Sequence, residues 1–167
     1  MTDTRSTQIA AGLLAGLFAL LVWKLNGFFH DDAFISLRYA RNLAELGELA
    51  WNPGERTEGY TNLLHVVLSA ALIRLGLDPM WAAQTINATA FIVLLGLGWR
   101  LSAGMHLRPL ERLATLTVPV SVPVVGWIFG GLESVLVATL LASAYLSALA
   151  VLFGQSSLRH SLIASTF

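Results

Sequence analysis

Hydrophobic residues in this chain form long runs, and the polar residues are concentrated between the first run and the second. Apolar runs cover residues 9–26, 80–102, 113–130 and 132–153. A helix of roughly 20 apolar residues crosses the hydrocarbon core of a bilayer, and each run approaches or exceeds that length. Lys24 lies near the end of the first run, where a long cationic side chain can reach the interface. The pattern predicts an all-α integral membrane protein with about four spans, forming a single membrane domain over residues 1–167. Pro119 and Pro123 are expected to kink the third run, and Gly130-Gly131 to break the chain after it.

A shorter apolar segment, Leu63–Leu77, carries His65 and Arg74. Its length is marginal for a span and is typical of an interfacial or re-entrant segment, in which we predict a helix over Leu63–Arg74. Were it to cross, the basic connection at 100–112 would lie outside, against the tendency of arginine to remain in the cytoplasm. Four spans with an extracytoplasmic loop at 27–79 are therefore favoured over the alternative of five spans.

Within that loop, residues Ala33–Leu46 have the spacing of an amphipathic helix. Their apolar positions recur at intervals of three and four, while Arg38, Arg41 and Glu45 share the opposite face. Gly47 follows as a helix stop, and Asp31 and Asp32 stand at the start. The sequence predicts a helix at the membrane surface here.

The adjacent carboxylates Asp31 and Asp32 have two interpretations. An aspartate before a helix can accept backbone N–H bonds, and its charge suits that end of the helix dipole. One aspartate is enough for that purpose. Two adjacent carboxylates near apolar residues can instead hold one raised pKa, which suits a proton acceptor.

A turn and a polar cluster complete the loop. Trp51-Asn52-Pro53-Gly54 has the composition of a β-turn. The next eight positions hold Glu55, Arg56, Glu58, Gly59, Tyr60, Thr61 and Asn62. A solvated linker is the alternative to a binding segment. We interpret Tyr39, Trp51 and Tyr60 as interfacial anchors, because such aromatic side chains favour headgroup depth.

Composition supports the membrane assignment and excludes other classes. Of 167 residues, 56% are hydrophobic and 12% charged, and the mean hydropathy is +0.69. The formal net charge of zero gives no indication of nucleic-acid binding. The absence of cysteine excludes disulfides, thiolate nucleophiles and cysteine metal sites. None of the four histidines has a paired metal-ligand spacing, and no phosphate-binding glycine loop is present.

The ordered run DDAFISLRYARNLAELGELAWNPGERTEGYTN, residues 31–62, resembles the first extracytoplasmic loop of GT-C-type membrane glycosyltransferases. It is most similar to the arabinofuranosyltransferase-like branch, whose members open with a span, an Asp-Asp pair, an R-Y-A-x-N-L-A helix, an N-P-G-E-R turn and an E-G-Y-T-N segment. The close match covers roughly the first third of the chain. Glu133, in the context GGLES, also matches an acidic residue that follows the third span in that family. Its alternative role is to favour a helix dipole.

The resemblance implies a GT-C-like N-terminal module that transfers a sugar, with inversion, from a polyprenyl-phosphate donor to a glycan, lipid or protein acceptor. Asp31 or Asp32 would be the base. The implied substrate-binding residues are Arg38, Arg41, Arg56, Glu58, Tyr60, Asn62 and Glu133. No metal site is assigned, although a divalent cation held by Asp31, Asp32 and Glu133 is conceivable. The implied setting is the bacterial cytoplasmic membrane, with the site facing outside.

The family usually has more spans than this sequence provides. The expectation is therefore an N-terminal portion, completed by further spans or by a second chain. The competing hypothesis is a non-catalytic membrane scaffold or transporter fragment whose loop acids only cap helices. A transporter should carry ionisable residues at mid-depth in broken spans, whereas the acids here lie at span ends, which favours a surface site.

Overall fold

A computed structural model describes residues 2–55, 57–105 and 107–152 of the chain. Over those residues it consists of α-helices and connecting turns, without a β-strand. The helices are α1 (Thr2–Leu25), α2 (Ala33–Leu46), α3 (Leu63–Arg74), α4 (Pro79–Gly104), α5 (Pro109–Thr115), α6 (Val122–Phe129) and α7 (Ser134–Leu152). The predicted all-helical class is confirmed for this part of the chain.

Helices α1 and α4 have the length and composition of membrane spans. The qualifying stretches are Thr4–Leu25 and Pro79–Ala103, and α6 with α7 would make a third if that bent pair were one span. These helices indicate a membrane protein. Only 6% of the apolar window in α1 is buried within the chain, so this helix exposes an apolar surface along most of its length.

The segment predicted as a span at 113–130 is not one continuous helix. The segment divides into α5 and α6, joined by hydrogen-bonded turns at residues 116–121. Pro119 lies in these turns and Pro123 in the first turn of α6. A proline lacks an N–H and clashes with the preceding turn, so two prolines four residues apart interrupt the helix completely where we expected a kink.

The chain reverses direction at Gly130–Glu133. Helices α6 and α7 are bent by 120° at this break. A bend well beyond 90° turns the second helix back past the first, in keeping with the predicted break at Gly130-Gly131. At eight residues, α6 is too short to cross a bilayer alone. The end of the fourth predicted run, residue 153, lies outside the described residues.

Contacts between helices give their relative directions. Helix α1 contacts α5 near Leu13 and α6 near Leu25, so it runs in the same direction as the α5–α6 segment. The Asn87 side-chain amide donates to the Trp127 carbonyl, while Arg112 lies over the Trp99 ring, so α4 runs against that segment. Helix α7 runs alongside α4 in the same direction. The carbonyl groups of Leu132 and Ala90 accept from Asn87 and Thr139, respectively. We call α1 and α4–α7 the long-helix layer.

Residues 27–78 comprise α2, α3 and the turns before, between and after them. They form a second unit that we call the loop layer. Its core contains Tyr39, Ala40, Val66 and Ala70. The predicted bounds of α2 and α3 are confirmed, and Gly47 ends α2 in the left-handed conformation at φ 74°. Helix α3 has 12 residues, or about 18 Å of length, which is too short to cross a bilayer.

The interpretation of Tyr39 as an interfacial anchor is wrong. Its side chain is 1% exposed, and its hydroxyl donates to the Thr57 carbonyl at 2.9 Å. The rings of Trp51 and Tyr60 pack against it, with centroid separations of 5.9 and 5.0 Å. Gly59 lies close enough that a Cβ there would approach the Tyr39 hydroxyl to 2.9 Å. Tyr39 therefore belongs to the core of the loop layer, and the half-buried Trp51 and Tyr60 rings pack against it.

Candidate functional site

The segment that carries the acid pair packs directly against the reversal between α6 and α7. The backbone N–H of His30 donates to the Gly130 carbonyl at 3.0 Å. Gly131 has φ +79°, and a Cβ added there would collide with the Phe29 ring and lie 2.9 Å from the Ala33 Cβ. Glycine permits both the conformation and the approach. This contact joins the start of α2 to the start of α7.

Glu133 is connected to the loop layer by two further hydrogen bonds. The Asn62 amide nitrogen donates to Glu133 Oε2 at 2.7 Å. The Asn62 amide oxygen accepts from the Ser36 hydroxyl at 3.1 Å. Asn62 is buried at the N-cap of α3 and makes no capping bond, because both ends of its amide are used in this way. Three elements therefore meet at Glu133: α2, the start of α3 and the start of α7.

The two aspartates lie open to solvent and do not cap α2. The side chains of Asp31 and Asp32 are 92% and 67% exposed. Asp32 occupies the N-cap position without a side-chain capping bond, so the capping interpretation is wrong for it. The Asp31 carboxylate accepts instead from the Asp32 N–H, before the helix begins. The first N–H groups of α2 are satisfied by the backbone carbonyls of residues 30–32, which leaves the carboxylates without that task.

His30 completes a compact group with the aspartates. Its Nδ1 lies 3.1 Å from Asp31 Oδ1 and 3.7 Å from Asp32 Oδ2, and one ligand atom from each of the three side chains lies within 4.8 Å of the others. A divalent cation fits such a spacing, and a mixed imidazole and carboxylate set suits a transition metal better than calcium or magnesium. Glu133, which the sequence left conceivable as a third ligand, is not in this group and accepts a hydrogen bond from Asn62. Whether a cation binds stays a prediction.

Two of the three arginines predicted to bind substrate, Arg38 and Arg41, have different surroundings. Arg38 donates through Nε to the Trp51 carbonyl and through Nη2 to Asn52 Oδ1, both at 2.8 Å, and stacks over the Trp51 ring at 4.5 Å. Arg41 pairs with Glu45 at 2.8 Å on the exposed face of α2. Both arginines line a groove of about 450 Å³ between α2 and the start of α4, together with Phe34, Leu37, Trp51, Asp78, Pro79 and Met80.

Two other predicted binding residues, Glu58 and Tyr60, line a second cavity of about 510 Å³. Its wall includes Glu48 and Glu55, so the cavity has an acidic character. Carboxylates and a tyrosine hydroxyl are good partners for sugar hydroxyl groups. Arg56, also predicted to bind substrate, lies outside the described residues, as do His106 and the tail from residue 153 onward.

His65 is a residue whose environment the sequence reasoning missed. It is 1% exposed, and neither ring nitrogen has a hydrogen-bond partner. Burial lowers the pKa of His65, and the nearby Glu133 carboxylate raises it to a smaller extent. The signal in the sequence was the spacing of Asn62, His65 and Ser69, which places three polar side chains on one face of an otherwise apolar helix.

Comparison with protein-family models, with curated proteins and with solved structures finds no match for this chain. The resemblance to GT-C-type glycosyltransferases accordingly stays a prediction from the motifs at residues 31–62.

Proposed function

We propose that this chain is the N-terminal part of a membrane glycosyltransferase that transfers a sugar from a polyprenyl-phosphate donor to an envelope glycan, lipid or protein. The observation that supports this best is the packing of Phe29, His30 and Ala33, which flank the acid pair, against Gly130 and Gly131, which precede Glu133. The two segments that carry the resemblance are about 100 positions apart in the sequence and meet in one packed junction. In a scaffold whose acids only cap helices, neither this junction nor the solvent exposure of the Asp31 and Asp32 carboxylates would be needed.

The proposed arrangement in the membrane has four crossings. Helices α1, α4 and α7 each cross, and the interrupted α5–α6 segment supplies the fourth crossing. The alternating directions of these elements support this count. Arg108 caps the start of α5 and Arg112 lies within that helix, whereas the acid pair packs near the end of α6, so the positive-inside tendency puts the acids outside. The loop layer would then rest on the outer membrane surface.

In the proposed reaction, an acceptor hydroxyl oxygen attacks the anomeric carbon of the donor sugar. The bond from that carbon to the phosphate oxygen breaks, and the polyprenyl phosphate leaves with the electron pair. Asp31 or Asp32 takes the hydroxyl proton, a task for which an exposed carboxylate without a capping role is available. Inversion at the anomeric carbon follows from attack on the face opposite the leaving group.

The groove that holds Arg38 and Arg41 has the chemistry for the donor headgroup. Guanidinium groups bind phosphate in a bidentate manner, and Arg38 keeps N–H donors beyond the two that hold the Trp51–Asn52 turn. Phe34, Leu37 and Met80 give the same groove an apolar wall that suits the first prenyl units. The acidic cavity beside Glu58 and Tyr60 would hold acceptor hydroxyl groups. A divalent cation at His30, Asp31 and Asp32 would offset phosphate charge.

The test is sugar transfer in membranes that carry the full-length gene product, assayed with a panel of polyprenyl-phosphate pentoses and hexoses. Asp31→Asn and Asp32→Asn keep the size and polarity of each side chain but cannot take the proton. Loss of a required base lowers the rate by roughly 100- to 10,000-fold. Glu111→Gln is the control, because it also removes one carboxylate charge, and Glu111 pairs with Arg108 on α5 and has no proposed chemical role. Transfer at the wild-type rate by both Asp31→Asn and Asp32→Asn would remove the acid pair from the mechanism.

A further inference from the structure

One face of α3 is buried and carries a stripe of polar side chains. The stripe begins at Asn62, which donates a hydrogen bond to Glu133 at the start of α7. Asn62, His65 and Ser69 follow one another at intervals of three and four residues, so their side chains are neighbours on one face of the helix. Asn62 is hydrogen-bonded to Glu133, while both nitrogens of His65 and the hydroxyl oxygen of Ser69 lack partners. His65 is 1% exposed and Ser69 is fully buried.

Three unpartnered atoms on one buried face are costly. Leaving a buried donor or acceptor unsatisfied costs about 1–3 kcal/mol for each group. Buried side-chain polar atoms in folded proteins are therefore bonded to protein groups or to ordered water. At the Asn62 end of the stripe lies the Glu133 carboxylate, whose Oε2 accepts from Asn62 and which has further hydrogen-bonding capacity.

We propose that His65 is a positioning residue for Glu133, linked to the carboxylate through a buried water that Ser69 also binds. A neutral imidazole has one donor and one acceptor nitrogen, which matches a carboxylate on one side and a hydroxyl or water on the other. Together with Asn62, this link would fix both oxygens of Glu133 and hold the carboxylate in one orientation at the acid-pair junction. The effect of His65 on sugar transfer rests on the proposed function. The hydrogen-bonded link between His65 and Glu133 does not.

Glu133 is the charged group that acts on His65. On the elements packed against α3, the other ionisable side chains are held elsewhere or are exposed. On α2, Tyr39 donates to Thr57, while Asp32, Arg38, Arg41 and Glu45 are exposed. On α4, Asp78 accepts from Met80 N–H at the start of the helix and Arg100 lies near its far end.

Nitrogen-15 NMR of histidine-labelled full-length chain in lipid nanodiscs tests the link directly. The chain has four histidines, so His65 can be assigned by its loss in His65→Gln. In the wild-type chain we expect one ring tautomer at neutral pH. In Glu133→Gln we expect a change of tautomer ratio and a titration that moves to lower pH, because the carboxylate raises the His65 pKa. Glu111→Gln, in which the lost carboxylate pairs with Arg108 on α5, should leave the His65 signals unchanged.

Identical His65 tautomer and titration in the wild type, Glu133→Gln and Glu111→Gln would overturn the inference. In the transfer assay, His65→Gln should shift the pH dependence of the rate as well as lower it, which a merely structural defect would not do. A rate profile of unchanged shape would also overturn it. An absence of transfer by the wild type would count against the proposed function alone, since the NMR comparison decides the link independently.

Discussion

Both layers bury alanine and valine, but the loop layer also buries the large polar rings of Tyr39 and His65, whereas the largest buried side chain of the long-helix layer is that of Phe91 and its buried polar residues are Asn87, Ser102 and Thr139. The loop layer ties its turns down with side-chain hydrogen bonds from Arg38, Tyr39 and Asn42. Helix α1, in contrast, has an apolar window that is only 6% buried within the chain. The loop layer thus carries its own internal restraints, while the long helices expose surface that an apolar medium or further helices must cover.

The largest effect should come from removing the centre of the loop layer. Tyr39→Ala should lower the free energy of unfolding by about 3–5 kcal/mol, as truncation of a buried aromatic side chain does. Tyr145→Ala on α7 removes the same atoms from a side chain that is 65% exposed, and should change stability by less than about 1 kcal/mol. Denaturant unfolding in matched detergent micelles measures both. Equal losses would mean that the two layers do not differ in the way described.

The junction between the layers should be the next most sensitive place. Gly131→Ala combines a left-handed backbone with contacts to Phe29 and Ala33, and should cost about 2–5 kcal/mol. Gly54→Ala is the matched control, because φ is +81° there but nothing lies within 4 Å of the added Cβ. It should cost about 1 kcal/mol from backbone strain alone. The same unfolding experiment gives the difference, and a Gly131→Ala variant no less stable than Gly54→Ala would contradict the close contact.

Acidification should weaken the loop layer through His65. Burial lowers the pKa of His65 in the folded chain, so the unfolded chain binds this proton more readily. The stability that depends on neutral His65 is complete above the unfolded pKa of about 6.5 and falls as the pH drops below it. The slope cannot exceed about 1.4 kcal/mol per pH unit for one proton. Unfolding between about pH 7 and pH 5 should show this slope in the wild type and in His30→Gln, and lose it in His65→Gln.

The smallest effect should come from the exposed face of α2. The Arg41–Glu45 pair is an i,i+4 ion pair in solvent, so a double-mutant cycle to alanine should give a coupling of about 0.3–0.5 kcal/mol that salt reduces. A coupling energy above about 1 kcal/mol that persists at high salt would show that the Arg41–Glu45 face of α2 is shielded from solvent. This face would then not be the exposed surface of the loop layer.

Helix bounds were predicted well where they depended only on the spacing of residues within the helix and on the residue that follows it. The bounds of α2 and α3 and the stop at Gly47 followed from helical spacing and glycine chemistry. The sequence failed where the answer depended on distant partners. Asp32 does not cap because backbone carbonyls take its place, and Tyr39 is buried because Thr57 and two rings from later turns enclose it. The two prolines at 119 and 123 were noted, but whether they kink or break a helix is decided by how the neighbouring helices pack.

The aromatic group around Tyr39 also gives the loop layer an optical signature of its own. Three rings held at fixed, tilted angles, with a guanidinium 4.5 Å from the Trp51 centroid, form an asymmetric chromophore. Far-ultraviolet circular dichroism reports helix content, which in this chain comes mostly from the long helices, whereas near-ultraviolet bands report fixed aromatic packing. Loosening of the loop layer would therefore remove the contribution of Tyr39, Trp51 and Tyr60 to the near-ultraviolet signal, while Trp127, packed against Phe28 and His30, would keep its own. A partial loss of near-ultraviolet signal, with the far-ultraviolet spectrum almost intact, would thus report loosening of the loop layer without any added label.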